Sequence, residues 1–153
     1  MIAPFVFDRE YEFPVSPETL WKTLDRTDQF PRWWRWLRAF DADGVTGLEE
    51  GARAHCVVRG PLPYSLRFTV AVERVVPGQL IETRVSGDIE GPARLELRGS
   101  GVDSAARLVW SVSVVDPALR ATARAARPLM EWGHNWVVTR GVRAFRQHAL
   151  ARR

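Results

Sequence analysis

Residues 52 to 115 are cut into short lengths by turn signals at Gly60-Pro61, Pro77-Gly78, Gly91-Pro92 and Gly99-Ser100-Gly101. The lengths between them, 52–59, 64–76, 80–88, 93–99 and 105–115, are rich in β-branched and alternating residues, which reads as a run of strands. Connections of a few residues have no room for crossover helices, so the strands must be antiparallel neighbours. Their faces separate cleanly. Tyr64, Leu66, Phe68, Val70 and Val72 oppose Ser65, Arg67, Thr69 and Glu73, and Leu95 and Leu97 oppose Arg94, Glu96 and Arg98. One side of this sheet requires a cover, and the other is wet.

The segment ahead of the sheet adds a strand and two short helices. Over residues 4–14, Phe5, Phe7, Arg9, Tyr11 and Phe13 fall on one side and Val6, Asp8, Glu10 and Glu12 on the other, a half-buried strand of period two. Ser16 followed by Pro17 is a cap with proline at the first helical position, and the helix it opens runs to about Asp25. Asp28 is expected to cap a second short helix through FPRWWRWL, and strands follow from about Leu37.

The cover comes from the C-terminus. Asp116-Pro117 opens a short helical stretch, and Pro128 separates it from a long helix. At 100° per residue, Met130, Gly133, His134, Val137, Gly141, Ala144, Phe145 and His148 share one stripe, while Thr139, Arg143 and Arg146 point away. The fold class is therefore α+β: a curved antiparallel β-sheet of about six or seven strands wrapped around a long C-terminal α-helix, with two short helices after the first strand. A chain of 153 residues makes this one domain, residues 1–153. One helix does not fill the concavity of a bent sheet, so a cavity between them is expected.

Composition narrows the function classes. Cys56 is the lone cysteine, which excludes an intramolecular disulfide framework and favours a reducing compartment. The first ten residues, broken by Pro4 and Asp8, do not read as a signal peptide, so a cytoplasmic location is expected. The net charge is only +4, and 21 of the 22 basic residues are Arg, which explains a pI of 10.2 without a nucleic-acid partner. Residues 117–153 carry eight Arg against the single acid Glu131, a face able to meet phosphates or anionic lipid but equally a solvated helix side. His55, His134 and His148 lack ligand-like spacing, and phosphate-loop strings are missing, so neither metal nor cofactor is expected.

Several strings, in order, carry a family resemblance: SPETLW at 16–21, FPRWW at 30–34, GLEEG at 47–51, SGDIEGPARLEL at 86–97, LVWSVSV at 108–114 and RPLMEWGHNWVVTRG at 127–141. The chain resembles the START-like, helix-grip superfamily (SRPBCC), in particular its polyketide cyclase/dehydrase branch. It departs from the pattern at Ser104, Ala105 and Ala106, where such proteins usually open the last strand with a Gly-Thr turn. The resemblance implies a hydrophobic small-molecule ligand, aromatic or polyketide-like, with cyclase/dehydrase turnover as one outcome. The other is a non-catalytic lipid or metabolite carrier or sensor. No nucleic-acid partner and no stable membrane insertion are expected, because the chain lacks a clustered Lys/Arg run with interleaved exposed aromatics on strands, and the oligomeric state is left open.

The candidate binding residues are Arg9, Tyr11, Trp33, Phe68, Leu95, Leu97, Trp110, Met130, His134, Val137 and Gly141, with His134 also the catalytic candidate. Trp33, in a cluster with Trp34 and Trp36, either faces a planar ligand or helps plug one end of the fold. Arg9 shares a face with Phe5, Phe7 and Tyr11, where it pairs with a ligand carboxylate or phenolate or else snorkels to solvent. His134, on the inward stripe between Gly133 and Gly141, is a general acid/base, a ligand-binding group, or a hydrogen-bonded core residue. The family places a histidine in this tryptophan-rich string too. Tyr11 and Arg9 are the polar assistants in the catalytic version.

Overall fold

The computed structural model describes residues 5–59, 65–118, 120–121 and 127–150. Seven strands form one antiparallel sheet in the order β1-β7-β6-β5-β4-β3-β2. They are β1 (Phe5–Phe13), β2 (Leu37–Asp41), β3 (Arg53–Val58), β4 (Leu66–Val76), β5 (Leu80–Gly87), β6 (Ile89–Ser100) and β7 (Asp103–Val114). Two short helices, α1 (Pro17–Leu24) and α2 (Phe30–Trp33), separate β1 from β2, and the long helix α3 (Arg127–Ala144) runs into a π-helical turn over Phe145–Leu150. This is the helix-grip architecture, in which the curled sheet holds α3.

The register explains why the concave face is apolar. Phe7 lies opposite Trp110, Trp110 opposite Ala93, Ala93 opposite Thr83, and Thr83 opposite Val72, so one inward layer runs across five strands. The next layers follow with period two, Leu108 to Leu95 to Ile81. On the convex face Arg107 donates to Asp8 at 2.8 and 2.5 Å and approaches Glu96 at 3.5 Å, and Arg98 pairs with Glu10. The Arg107 guanidinium holds the Asp8 carboxyl below its ordinary value. These are exposed pairs and carry little of the stability.

Gly91 and Pro92, expected to separate two strands, instead lie inside β6, and the turn falls at Gly87-Asp88. Gly91 has φ +150°, and a Cβ there would come within 2.0 Å of the Ser111 carbonyl oxygen. Only glycine permits that approach of β6 to β7, so the pair bends the strand rather than ending it.

Ser16 caps α1 as expected, its Oγ accepting from the Thr19 N–H at 3.2 Å, with Pro17 in the first turn. Asp28 does not cap the second helix. Its carboxylate accepts from the Gln29 side chain at 2.8 Å, a 3₁₀ turn occupies Thr27–Gln29, and α2 lasts four residues. The helix breaks at Trp34, whose backbone is extended, so the tryptophans beyond Trp33 follow no helical wheel. Asp116 accepts from the Arg120 N–H at 2.8 Å in a short helical turn, and the remainder of that expected stretch lies outside the described residues.

One end of the concavity is closed by packing. Leu20 of α1, fully buried, meets Phe13, Leu97, Ala106 and Phe145, with Trp21, Trp33 and Val142 against them. Arg146 does point outward, yet its guanidinium lies over Phe13 at 5.0 Å and donates to the Glu12 carbonyl at 2.6 Å, clamping the end of the helix onto β1.

Candidate functional site

Against that plug the sheet and α3 line a cavity of about 550 Å³. Its size lies in the range of small-molecule sites. The strands contribute Tyr11, Phe68, Leu95 and Trp110, and α3 contributes His134, Val137 and Gly141, so seven of the candidate residues line one space. A second chamber of about 260 Å³ adjoins it under β2 and β3, and Phe30, Trp34, Trp36 and Phe68 border both.

Three candidates fall elsewhere. Arg9 is on the predicted strand face, but β1 is an edge strand, and there Arg9 turns out to solvent with its guanidinium 5.8 Å from the Phe7 ring. Trp33 belongs to the plug, edge-on to Phe145 at 5.5 Å, because α2 ends immediately after it and the chain swings Trp34 and Trp36 inward instead. Leu97 is buried in the same plug beneath α1, one layer past the cavity wall. Met130 lies on α3 with its side chain outside the described set, as does His148 on the π-helical turn.

Residues missed at the sequence level include Trp34, Trp36, Phe5, Val112 and Val114, all of which line the cavity. The period-two alternation through Phe5 and Trp110 held the signal for Phe5, Val112 and Val114. Nothing in the local pattern distinguished Trp34 and Trp36 from Trp33.

Gly141 has a sharper role than leaving space. The Trp34 indole N–H donates to the Gly141 carbonyl at 2.8 Å, and a Cβ on Gly141 would lie 3.2 Å from Trp36 Cζ2. The two indoles stack at 5.6 Å and 17° and dock directly against the helix backbone.

Among the described residues His134 makes two polar contacts. Trp110 Nε1–H donates to His134 Nε2 at 3.0 Å. An indole N–H can only donate, so Nε2 is the acceptor and the ring is the neutral Nδ1–H tautomer. That Nδ1–H then donates to the side chain of its chain neighbour, Asn135 Oδ1, at 3.3 Å. Phe7 stacks on Trp110 at 4.5 Å and meets the imidazole edge-on at 5.1 Å. Burial lowers the His134 pKa, partly countered by the Asn135 bond; Arg9 pushes it down further and Glu131 up.

Thr83 and Arg94 at the wall also have polar neighbours. Thr83 Oγ1 donates to the Ala93 carbonyl at 2.9 Å. Arg94 borders the cavity, but its side chain is exposed and lies 3.7 Å from Glu96. Cys56 lines the second chamber, and burial pushes its thiol up to about 11, so it serves there as a small neutral wall element. Among the described residues no cluster of His, Cys, Asp or Glu could hold a metal ion, and no helix is long and apolar enough to cross a membrane.

The fold is START-like. A START superfamily protein from Mycobacterium smegmatis superposes with a TM-score of 0.73 at 14% identity, covering 95% of this chain and 97% of that one. Norcoclaurine synthase from Thalictrum flavum matches at 0.68 with 13% identity over 98% of this chain and 88% of the enzyme. The di-domain ARO/CYC StfQ of the steffimycin biosynthetic pathway matches at 0.74 with 9% identity, over 98% of this chain and 52% of StfQ. No protein-family model matches the chain, and no curated protein matches it by sequence.

Proposed function

We propose that residues 1–153 act as one ligand-binding unit that takes up an uncharged, apolar, largely aromatic small molecule between the sheet and α3. The observation that carries this reading is the 550 Å³ cavity, whose wall is built from aromatic and aliphatic side chains while its polar groups are mostly spent on one another. Burying an apolar molecule there gains the hydrophobic free energy, and burying a charge without a partner would forfeit more than it gains. The structural neighbours support the aromatic character of the ligand: one is an ARO/CYC, and another was crystallised with dopamine and hydroxybenzaldehyde.

Binding and transport require no rearrangement of His134. Turnover of the cyclase/dehydrase kind would require it to surrender the Trp110 bond, because the lone pair a general base needs is already accepting a proton donor. The carrier or sensor role is therefore the reading the geometry favours, with Tyr11, Phe68, Leu95, Trp110, His134, Val137 and Gly141 as wall residues. Native mass spectrometry of the purified protein tests it. The expected result is a co-purifying, uncharged small molecule, or stoichiometric uptake of an added neutral aromatic. A protein that takes up neither would overturn the proposal.

A further inference from the structure

The second chamber differs from the first in what it can hold. At about 260 Å³ it is smaller than the usual site for a whole small molecule, yet it exceeds the roughly 150 Å³ apolar cavity that takes up benzene. It has room for part of a ligand. Its wall is mostly aliphatic, and Leu37, Val45, Ala54, Cys56, Val70 and Val72 line this chamber without lining the larger one. The Thr27 hydroxyl at the wall accepts from the Gly47 N–H at 2.9 Å, and the Cys56 thiol, pushed up to about 11, stays neutral. Arg53 borders the chamber but is exposed. An alkyl group therefore gains burial there, while a polar one gives up its hydration for little return.

The two chambers share a floor. Phe68 of β4 and Ile81 and Thr83 of β5 line both, as does Leu48 from the loop between β2 and β3. Volumes that touch the same side chains lie within a side chain's breadth of each other, close enough for one molecule to occupy both. Ala54 is the small residue on the far side. It lies on β3 opposite Val70 of β4, so a larger side chain at this position takes volume from the second chamber alone.

We propose that the ligand is an aromatic molecule carrying a short aliphatic branch, its ring system held between the sheet and α3 and its branch passing over Phe68 and Ile81 into the chamber beneath β2 and β3. This rests on the cavity being the ligand site. It adds a substrate class, the alkyl-substituted aromatics, and makes the second chamber the part of the site that selects for the branch.

The test titrates 2-naphthol and 6-butyl-2-naphthol into the wild-type protein and Ala54→Phe. Burying a butyl branch is worth on the order of 100-fold in affinity, less the cost of ordering it, so the butyl probe should bind the wild-type protein at least about 10-fold more tightly than 2-naphthol. In Ala54→Phe that advantage should shrink to about threefold or less, with 2-naphthol affinity within about twofold of the wild-type value, because the new ring fills only the second chamber. An advantage that persists in a folded Ala54→Phe, or that is missing from the wild-type protein, overturns the proposal and leaves the cavity reading intact. Equal losses for both probes would put the ring system itself in the second chamber and likewise overturn it. Failure of both probes to bind the wild-type protein would instead remove the cavity reading, and this proposal with it. Should Ala54→Phe not fold, nuclear Overhauser effects in the wild-type complex decide. Those from the butyl protons should reach the methyls of Ala54 and Val70, and effects confined to Val137 and other methyls of the larger chamber overturn the proposal.

Discussion

The Trp110 indole donates to His134 Nε2 at 3.0 Å, joining β7 to the inward face of α3 at the cavity wall. Phe7 stacks on the donor and meets the acceptor edge-on, so the bond is shielded on one flank by an aromatic ring. It makes His134 a fastening between sheet and helix, neutral and of fixed tautomer.

A double-mutant cycle measures that fastening. His134→Phe leaves the Trp110 N–H without its acceptor and should cost about 1–3 kcal/mol in urea unfolding, while Trp110→Phe removes the donor. The double variant should be less destabilised than the sum by about 1 kcal/mol. Strict additivity would show that the two groups do not act together.

The same residue sets a pH dependence. An unfolded imidazole titrates near about 6.5, and burial holds folded His134 lower. Between those two values the unfolded chain binds more protons, so stability rises with pH. The contribution is full above about 6.5 and is lost as pH falls toward the folded value. Against His134→Gln, the stability difference should therefore shrink from pH 7.5 to pH 5.5. A gap that widens on acidification would contradict the neutral, buried assignment.

Gly141 is the point where added volume is felt. A helix-interior glycine normally gains from replacement by alanine, by about 1 kcal/mol. Here even a Cβ meets Trp36 at 3.2 Å, and Gly141→Val pushes two methyls into the stacked indoles. Overpacking of about 1–3 kcal/mol is expected in thermal or urea unfolding. A variant as stable as the parent would mean that the tryptophans are not seated on the helix backbone.

The strand faces were legible in the sequence because the alternation is strict. Phe68 and Leu95 were placed on the apolar face by period two, and both line the cavity. The Ser16-Pro17 start was legible for a similarly local reason. Other features depend on contacts between distant segments. Gly91-Pro92 reads as a turn in any local window, and only the approach of Ser111 makes it a bend within a strand. Trp33, Trp34 and Trp36 sit in one aromatic string, and their division between plug and wall follows from a helix that stops after four residues. Arg9 obeyed the alternation, but an edge strand gave its guanidinium a way out. The partner of His134 was 24 positions away and could be found only by folding the chain.

Among the described wall residues of the larger cavity the one cation, Arg94, is exposed and lies beside Glu96, which predicts discrimination by charge. At pH 7.5, 2-naphthol should bind while 2-naphthoate binds at least about 100-fold more weakly, because an unpaired buried carboxylate loses its hydration without compensation. Equal affinities in a fluorescence titration would show that a basic side chain, Arg9 or Arg94, enters the site.

The central claim is that ligand occupies the space between the sheet and α3, and filling that space from the helix tests it most directly. Val137 lines the cavity from α3, so Val137→Trp should place an indole in volume that is otherwise open. Titration of a neutral aromatic such as 9-fluorenone should give one-to-one binding to the wild-type protein. The account predicts an affinity at least about 10-fold lower for the variant, with its circular dichroism and thermal unfolding still those of a folded protein. Undiminished binding by a folded Val137→Trp would place the ligand somewhere else on the molecule.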